Sequence, residues 1–297
     1  MHFLPAVDLA TFLVQCLNAV QYGLLLFLVA SGLTLIFGIM GVINLAHGSF
    51  YMIGAYLAFV LAPYFGDWYL TKLLVGVLLA AAFGYLLEWA FFSFLYQRDH
   101  LQQVLMTYAL ILVFEELRSL TVGNDVHGVQ APTWLAGGFK LGELMSYPWY
   151  RVFASVACIV LAVALYWVVN RTKLGMMIRA GASNRDMVRG LGIDIQRLYR
   201  IVFAGGVALA ALAGMIAAPL SSVYPNMGGS VLIICFVVVV IGGIGSITGA
   251  LIASLLVGFV DTFGKVFFAE FSGIGVYLMM AIILIWKPEG LMKQHGR

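Results

Sequence analysis

The distribution of charge along the chain divides it into long apolar runs. From Leu9 to Gly66 there is no Asp, Glu, Lys or Arg. As one helix that stretch would measure roughly 87 Å at ~1.5 Å per residue, against a bilayer hydrocarbon core of ~30 Å. It must therefore fold back, and the break falls in GLTLIFGIMGVINLAHGSF (residues 32–50), where Gly38, Gly41, Asn44, His47, Gly48 and Ser49 interrupt the apolar residues. Pro63 to Trp68 closes the second piece. A span over about residues 72–95 ends at Gln97, Arg98, Asp99 and His100, and another covers about 101–121. Residues 122–148 are polar, rich in Gly and Pro, and hold Lys140 as their one basic residue, which places them outside the cell membrane. Trp134, Tyr147, Trp149 and Tyr150 are candidate interfacial anchors there. A span at about 149–169 follows. From Ile201 to Val260 the chain is again free of charge, broken at Pro219–Gly229 on the outer side and at VVVVIGGIGSITGA (237–250). Spans at about 248–268 and 273–286 precede a basic tail, KPEGLMKQHGR. The pattern predicts an all-α, polytopic transmembrane bundle of eight or nine apolar segments in a single domain, 1–297. Odd parity puts the N-terminus outside; one re-entrant segment would reverse that.

Composition agrees: 63% hydrophobic residues, 10% charged residues and mean hydropathy +1.03 are far from a soluble domain. The net charge of +3 is gathered in the connecting segments, so it reports topology and not nucleic-acid binding. The start, MHFLPAVDLATFLV, lacks a basic leader and reads as the first span. Cys16, Cys158 and Cys235 lie in apolar runs without metal-ligand spacing, which points to packing and to no metal site.

Residues 171–200 are the exception to this oil. They carry seven of the 16 basic residues (Arg171, Lys173, Arg179, Arg185, Arg189, Arg197, Arg200) against Asp186 and Asp194. Such a segment stays on the cytoplasmic side. Ser183 with Asp186 resembles a capping box that opens a short helix, Gly190 and Gly192 end it, and Asp194 caps the next. A short cytoplasmic helix between spans is a docking device; a purely topogenic loop is the other reading.

The two charge-free stretches resemble each other: apolar helix, Gly-rich break, small-residue helix. Internal repeats with interrupted helices are a construction principle of transporters. Gly242, Gly243, Gly245, Ser246 and Gly249 stand in the second stretch where the 38–49 cluster stands in the first. Polar groups at membrane depth must face protein or a wet path, so both clusters are candidate pathway elements as well as candidate hinges. Asn44 and His47, three apart, would share a face if helical. Small residues at every fourth position (Gly206, Ala210, Gly214, Ala218; Ala250, Ser254, Gly258) are read as helix packing. Glu115 with Arg118 and Asp261 with Lys265 have the spacing of neutralising pairs, and Glu88 and Glu116 complete a scattered set with no relay. There is no phosphate-loop motif, His-Glu-x-x-His or nucleophile elbow. The chain has no common ATP site and no visible catalytic machinery.

Four motifs carry a family resemblance over nearly the whole chain: GLTLIFGIMGVINLAHGSFYMIGAY, RAGASNRDMVRGLGIDIQRL, VVIGGIGSITGALIASLLVG and KPEGL. They are similar to the LivH-type permease subunits of bacterial branched-chain amino acid ABC transporters. The resemblance implies an inner-membrane importer with a second permease (LivM-like, or a second copy), two cytoplasmic ATPases that bind the ATP, and a periplasmic solute-binding protein. It implies that Arg179, Ala180, Ser183, Asn184, Arg185, Asp186, Arg189, Gly190 and Gly192 belong to one coupling helix seated on an ATPase. It also implies that the chain performs no covalent chemistry. Ser183–Asp186 is more basic than the family pattern, and Ile234 stands before Cys235–Phe236 where many members have a lysine. Those departures leave urea, amides or aromatic acids open as solutes. A stand-alone secondary transporter or channel is the alternative from another class, and an intramembrane enzyme a remote third.

Overall fold

The computed structural model describes residues 9–96, 98–140, 146–267 and 272–292. The opening octet of the expected first span, Gln97 and the end of the basic tail lie outside the described residues. The elements are α1 (Leu9–Met40), α2 (His47–Val60), α3 (Ala62–Phe65), α4 (Tyr69–Ala90), α5 (His100–Val122), β1 (Gly138–Lys140), β2 (Ser146–Pro148), α6 (Trp149–Arg171), α7 (Lys173–Ser183), α8 (Arg185–Gly190), α9 (Ile195–Ser221), α10 (Met227–Gly242), α11 (Ile247–Phe267) and α12 (Ser272–Trp286). Five helical stretches are long and apolar enough to cross a membrane: α1, α4 with the turn after it, α6, α9 and α11. Two shorter apolar helices, α10 and residues 273–286 of α12, accompany them. This is a helical membrane protein.

One departure from the all-α expectation is a small antiparallel sheet, in which β1 pairs with β2 through Phe139 opposite Tyr147. It lies within the 122–148 segment, which also clamps the rest of the fold. His127 exchanges both backbone hydrogen bonds with Val223 at 2.8 Å, and its ring stacks on Phe59. Asp67 accepts from the Thr133 amide and hydroxyl. Trp134 and Trp149 are exposed, as interfacial anchors would be, but Tyr147 and Tyr150 are buried. The Tyr150 hydroxyl donates to the Ile216 carbonyl at 2.8 Å and accepts from Tyr69 at 2.7 Å. A buried hydroxyl that joins α4, α6 and α9 is a packing element.

Helix α9 is the axis of the bundle, and its small-residue stripe explains why. A Cβ on Gly32 of α1 would lie 2.6 Å from the Gly206 carbonyl oxygen, and one on Gly84 of α4 would lie 2.8 Å from Val207. Gly54 of α2 meets the Ala211 backbone, and Gly214 meets the Tyr51 carbonyl. Two helices, α1 and α2, therefore reach the α9 backbone through side chains that are missing, and α4 reaches the Val207 side chain the same way, the close approach expected where lipid supplies no hydrophobic drive. Ser254 and Gly258 do the same for α11 against α1, where a Cβ on Gly23 would stand 2.9 Å from the Ser254 carbonyl oxygen, while Ala250 lies against Gly242 of α10. Phe50 completes the core, with ring centroids 5.9–6.5 Å from Phe83, Phe114 and Phe203, tying α2, α4, α5 and α9 together.

Helices α2 and α10 begin inside the protein. His47, the first residue of α2, bonds through Nε2 to the carbonyl of Val29, midway along α1. Gly48 packs on Gly228, the second residue of α10; a Cβ on Gly228 would stand 2.7 Å from the Gly48 carbonyl oxygen. With 14 and 16 residues these helices are about 21 and 24 Å long, short of a hydrocarbon core.

Candidate functional site

The first break is narrower than its motif. Gly38 is still in α1, residues 41–46 are the non-helical link, and His47, Gly48 and Ser49 open α2. Asn44 lies in the link, so it shares no helix face with His47. Its Oδ1 accepts from the Ala46 amide at 3.0 Å, while its Nδ2 has no partner. His47 must donate from Nε2, since the Val29 carbonyl can only accept; its Nδ1 has no partner. Asn44, His47 and Ser49 are all buried in protein. Gly41, at φ +64°, ends α1 against the coupling segment: a Cβ there would stand 2.8 Å from Arg185 Nη2.

The second break is residues 243–246, shorter than the 237–250 motif, and the outer break is residues 222–226, with Pro219 inside the last turn of α9. Gly242 packs on the Gly249 backbone. Gly243, at φ +94°, receives the end of the chain: the amides of Leu291 and Met292 donate to the carbonyls of Ile241 and Gly242 at 2.8 and 3.2 Å. A Cβ on Gly290 would lie 2.6 Å from Gly243 Cα. The double glycine and the KPEGL ending are thus two halves of one backbone joint. Ser246 Oγ accepts from the Gly249 amide at 3.1 Å and caps α11. Gly38, Gly245 and Ser246 meet, with Gly38 and Gly245 nearly touching, on a cavity of about 330 Å³ also lined by Thr34, Asn170 and Arg179.

The segment expected to form one coupling helix is two helices, α7 and α8. Thr172 caps α7 by accepting from the Gly175 amide, and α7 ends at Ser183. The cap of α8 is Asn184, whose Oδ1 accepts from the Met187 amide at 3.0 Å. The expected Ser183–Asp186 capping box does not form, because Ser183 is still helical and the extended residue that a cap requires is Asn184. Ala180 supplies the carbonyl that takes the Asn184 amide. Gly190 closes α8, Gly192 turns at φ +81°, and Asp194 caps α9 at the Arg197 amide, 3.0 Å away. Arg179 turns back to the Val169 carbonyl. Ser183, Asn184, Arg185, Asp186 and Arg189 are exposed, beside Met176, Met187 and Leu191, apolar residues the charge pattern concealed. Val188 and Ile178 anchor the pair from below.

Behind this surface runs a contact chain that the sequence did not reveal. The Arg185 guanidinium stands over Tyr199, whose hydroxyl reaches the Ile39 carbonyl at 3.5 Å. Tyr199 packs edge-on against Tyr96, which donates to Glu88, and Glu88 pairs with Arg200 at 3.3 Å. Glu88 was read as one of a scattered set; it ties the ends of α4 and α9.

A third region went unnoticed from sequence. A cavity of about 460 Å³ lies among α1, α2, α6, α9, α10 and α11. Its polar wall is Arg151, whose Nη1 donates to Asn18 Oδ1 at 2.9 Å and Gln21 Oε1 at 3.0 Å, and the Asp261–Lys265 pair at 2.6 Å. Its apolar wall includes Leu25, Leu26, Val29 and Val231. The signal was present: Gln15, Asn18 and Gln21 recur at three-residue intervals in an otherwise apolar helix, and Arg151 opens an apolar run. The other expected pair, Glu115–Arg118, forms at 3.0 Å. Among the described residues no group of His, Cys, Asp or Glu could hold a metal, and the three cysteines are free.

A helical membrane protein with a charged cavity and an exposed basic helix pair has the features a transport permease needs. The family described as "Branched-chain amino acid transport system / permease component" matches residues 15–285, and the chain belongs to it. It is similar to the high-affinity branched-chain amino acid transport system permease protein BraD of Pseudomonas aeruginosa, 28% identical over 95% of both chains. It is also similar to a probable branched-chain amino acid transport permease protein LivH of Methanocaldococcus jannaschii, 29% identical over 92% of this chain and 90% of the relative. The LivM permease protein of Escherichia coli K12 matches at 27% over 88% of this chain and 66% of its own length. No solved structure matches the chain significantly.

Proposed function

We propose that this permease is one membrane half of an ATP-driven importer of branched-chain amino acids, working by alternating access. The family match over residues 15–285 is the observation that carries it. Similarity to both LivH and LivM proteins favours pairing with a second permease of the same family. In this reading two ATPases hold and hydrolyse ATP, a binding protein delivers solute from outside, and the α7–α8 surface transmits ATPase motion. Nine segments cross or enter the membrane: α1, α2, α4, α5, α6, α9, α10, α11 and α12. The N-terminus is outside, and the α7–α8 surface and C-terminus are cytoplasmic, in keeping with the basic 171–200 segment and the single lysine of 122–148. In place of the 242–249 counterpart expected from sequence, this reading pairs α1, link 41–46 and α2 with α9, link 222–226 and α10, because those two links lead into short helices whose starts meet at Gly48 and Gly228. Rocking of the packed halves about that contact opens the path to each side in turn.

Purification of the tagged chain from native membranes in mild detergent tests this. A second permease and ATPases at stable stoichiometry are expected. A chain that comes out alone and moves solute in liposomes under an ion gradient, without ATP, overturns it.

A further inference from the structure

The cavity around Arg151 has an unbalanced charge. Three ionised side chains line it: Arg151, Lys265 and Asp261. Lys265 and Asp261 neutralise each other at 2.6 Å, with the ammonium also over the Tyr22 ring at 5.6 Å. Arg151 has two amide oxygens, from Asn18 and Gln21, and the neutral Tyr147 hydroxyl nearby, but no carboxylate within ion-pair distance among the described residues. Amide oxygens fix the direction of a guanidinium but do not cancel its charge. A half-buried cation in a membrane protein calls for a counter-charge, and a guanidinium is shaped to grip a carboxylate in two parallel hydrogen bonds. Both amides stand on α1 and the arginine on α6, so the group is held in place by two helices before any ligand arrives.

We propose that this cavity is a solute-loading site for a small aliphatic molecule bearing a carboxylate, namely the free amino acid. Arg151 takes the carboxylate. The ammonium of the solute shares Asp261, the one acid in the cavity, with Lys265, and Leu25, Leu26, Val29 and Val231 receive the aliphatic side chain. The volume of about 460 Å³ suits a small ligand. Val29 links the site to the interior of the fold, because its carbonyl holds His47 at the start of α2, 3.0 Å away. The assignment rests on the permease reading and sharpens it: a guanidinium held by amide oxygens alone favours solutes that carry a carboxylate over urea or simple amides, which have none. A fatty-acid or lipid carboxylate would present the same chemistry.

The test uses the whole transport complex in liposomes with its binding protein, with leucine, alanine and leucinamide as probes. Arg151→Gln is expected to lower ATP-driven leucine uptake at least about tenfold, while Arg151→Lys retains part of it. The ATPases should still co-purify with both variants. Val231→Phe, which fills the apolar end, should depress leucine uptake more than alanine uptake. Wild-type uptake should fall when leucinamide replaces leucine. Full leucine uptake by Arg151→Gln overturns the assignment. So does a loss of uptake accompanied by loss of the ATPases, which would make Arg151 a structural brace. Unchanged uptake with altered co-purifying fatty acid would assign the site to lipid instead. Failure of the wild-type complex to show ATP-driven uptake would sink the permease reading itself, and is a distinct result.

Discussion

The two glycine-rich breaks look alike in sequence and are built for different work. In the first, residues 41–46, glycine makes room for a cation: Arg185 of α8 lies where a Gly41 side chain would begin. The polar residues beyond it, Asn44 and His47, are buried, and each leaves one nitrogen without a partner. In the second, residues 243–246, glycine makes room for main chain: Gly243 lies under the backbone of residues 289–292. The first break is therefore in direct contact with the surface proposed to meet an ATPase, while the second is pinned by the backbone of residues 289–292. A break that contacts a moving part and keeps unsatisfied polar atoms is suited to change shape. A break stitched by backbone hydrogen bonds is suited to hold it.

The largest effect that would separate them is at Gly243. Valine there must adopt φ near +94°, and its Cβ would stand 2.5 Å from the Met292 carbonyl oxygen. Strain and overlap together should cost roughly 3 kcal/mol or more. Gly243→Val is expected to lower the thermal midpoint of the purified protein sharply, or to abolish its accumulation in the membrane, by fluorescence-detected size exclusion. A variant as stable as wild type would show that the C-terminal joint is dispensable, and the contrast between the breaks would fail.

The positions of the apolar runs, the packing role of the small-residue stripes and the spacing of Glu115–Arg118 and Asp261–Lys265 were all legible, because each depends on local composition or helical periodicity. What stayed hidden depends on contacts between distant segments. Periodicity could not say that KPEGL closes on Gly242–Gly243, or that Asn18, Gln21 and Arg151 converge from 130 residues apart. The capping box failed for a subtler reason. Ser183 and Asn184 are both good caps, and which one serves is decided by where α7 ends, with its buried Gly181 facing Leu198 and Ile39, not by either residue's preference. Tyr147 and Tyr150 misled because an aromatic near a span end suits an interface and a core equally well.

Asn44 offers a second, smaller way to sharpen the contrast. Its Oδ1 holds the Ala46 amide where water does not reach, since both residues are fully buried. Removing that acceptor strands a buried donor, at about 1–3 kcal/mol. Asn44→Ala should lower the thermal midpoint moderately and reduce uptake in the reconstituted complex more than the stability loss explains, if the first break moves in the cycle. Uptake that tracks stability alone would make the break a static link.

Ser246 is the matched control, and its effect should be the smallest. It performs the same act as Asn44: a side-chain oxygen accepts a backbone amide near the start of the next helix, here Gly249 at 3.1 Å. The difference is exposure. Ser246 is half-buried on the cavity beside Gly38 and Thr248, so water can replace its oxygen at the amide when the hydroxyl is removed. Ser246→Ala should therefore cost no more than about 1 kcal/mol, the usual value of an N-cap, and leave leucine uptake close to wild type. Measured beside Asn44→Ala in the same melting and uptake assays, it isolates burial from chemistry. Equal losses at the two positions would mean that both breaks are equally dry and equally rigid, and the division between a moving link and a pinned joint would have to be abandoned.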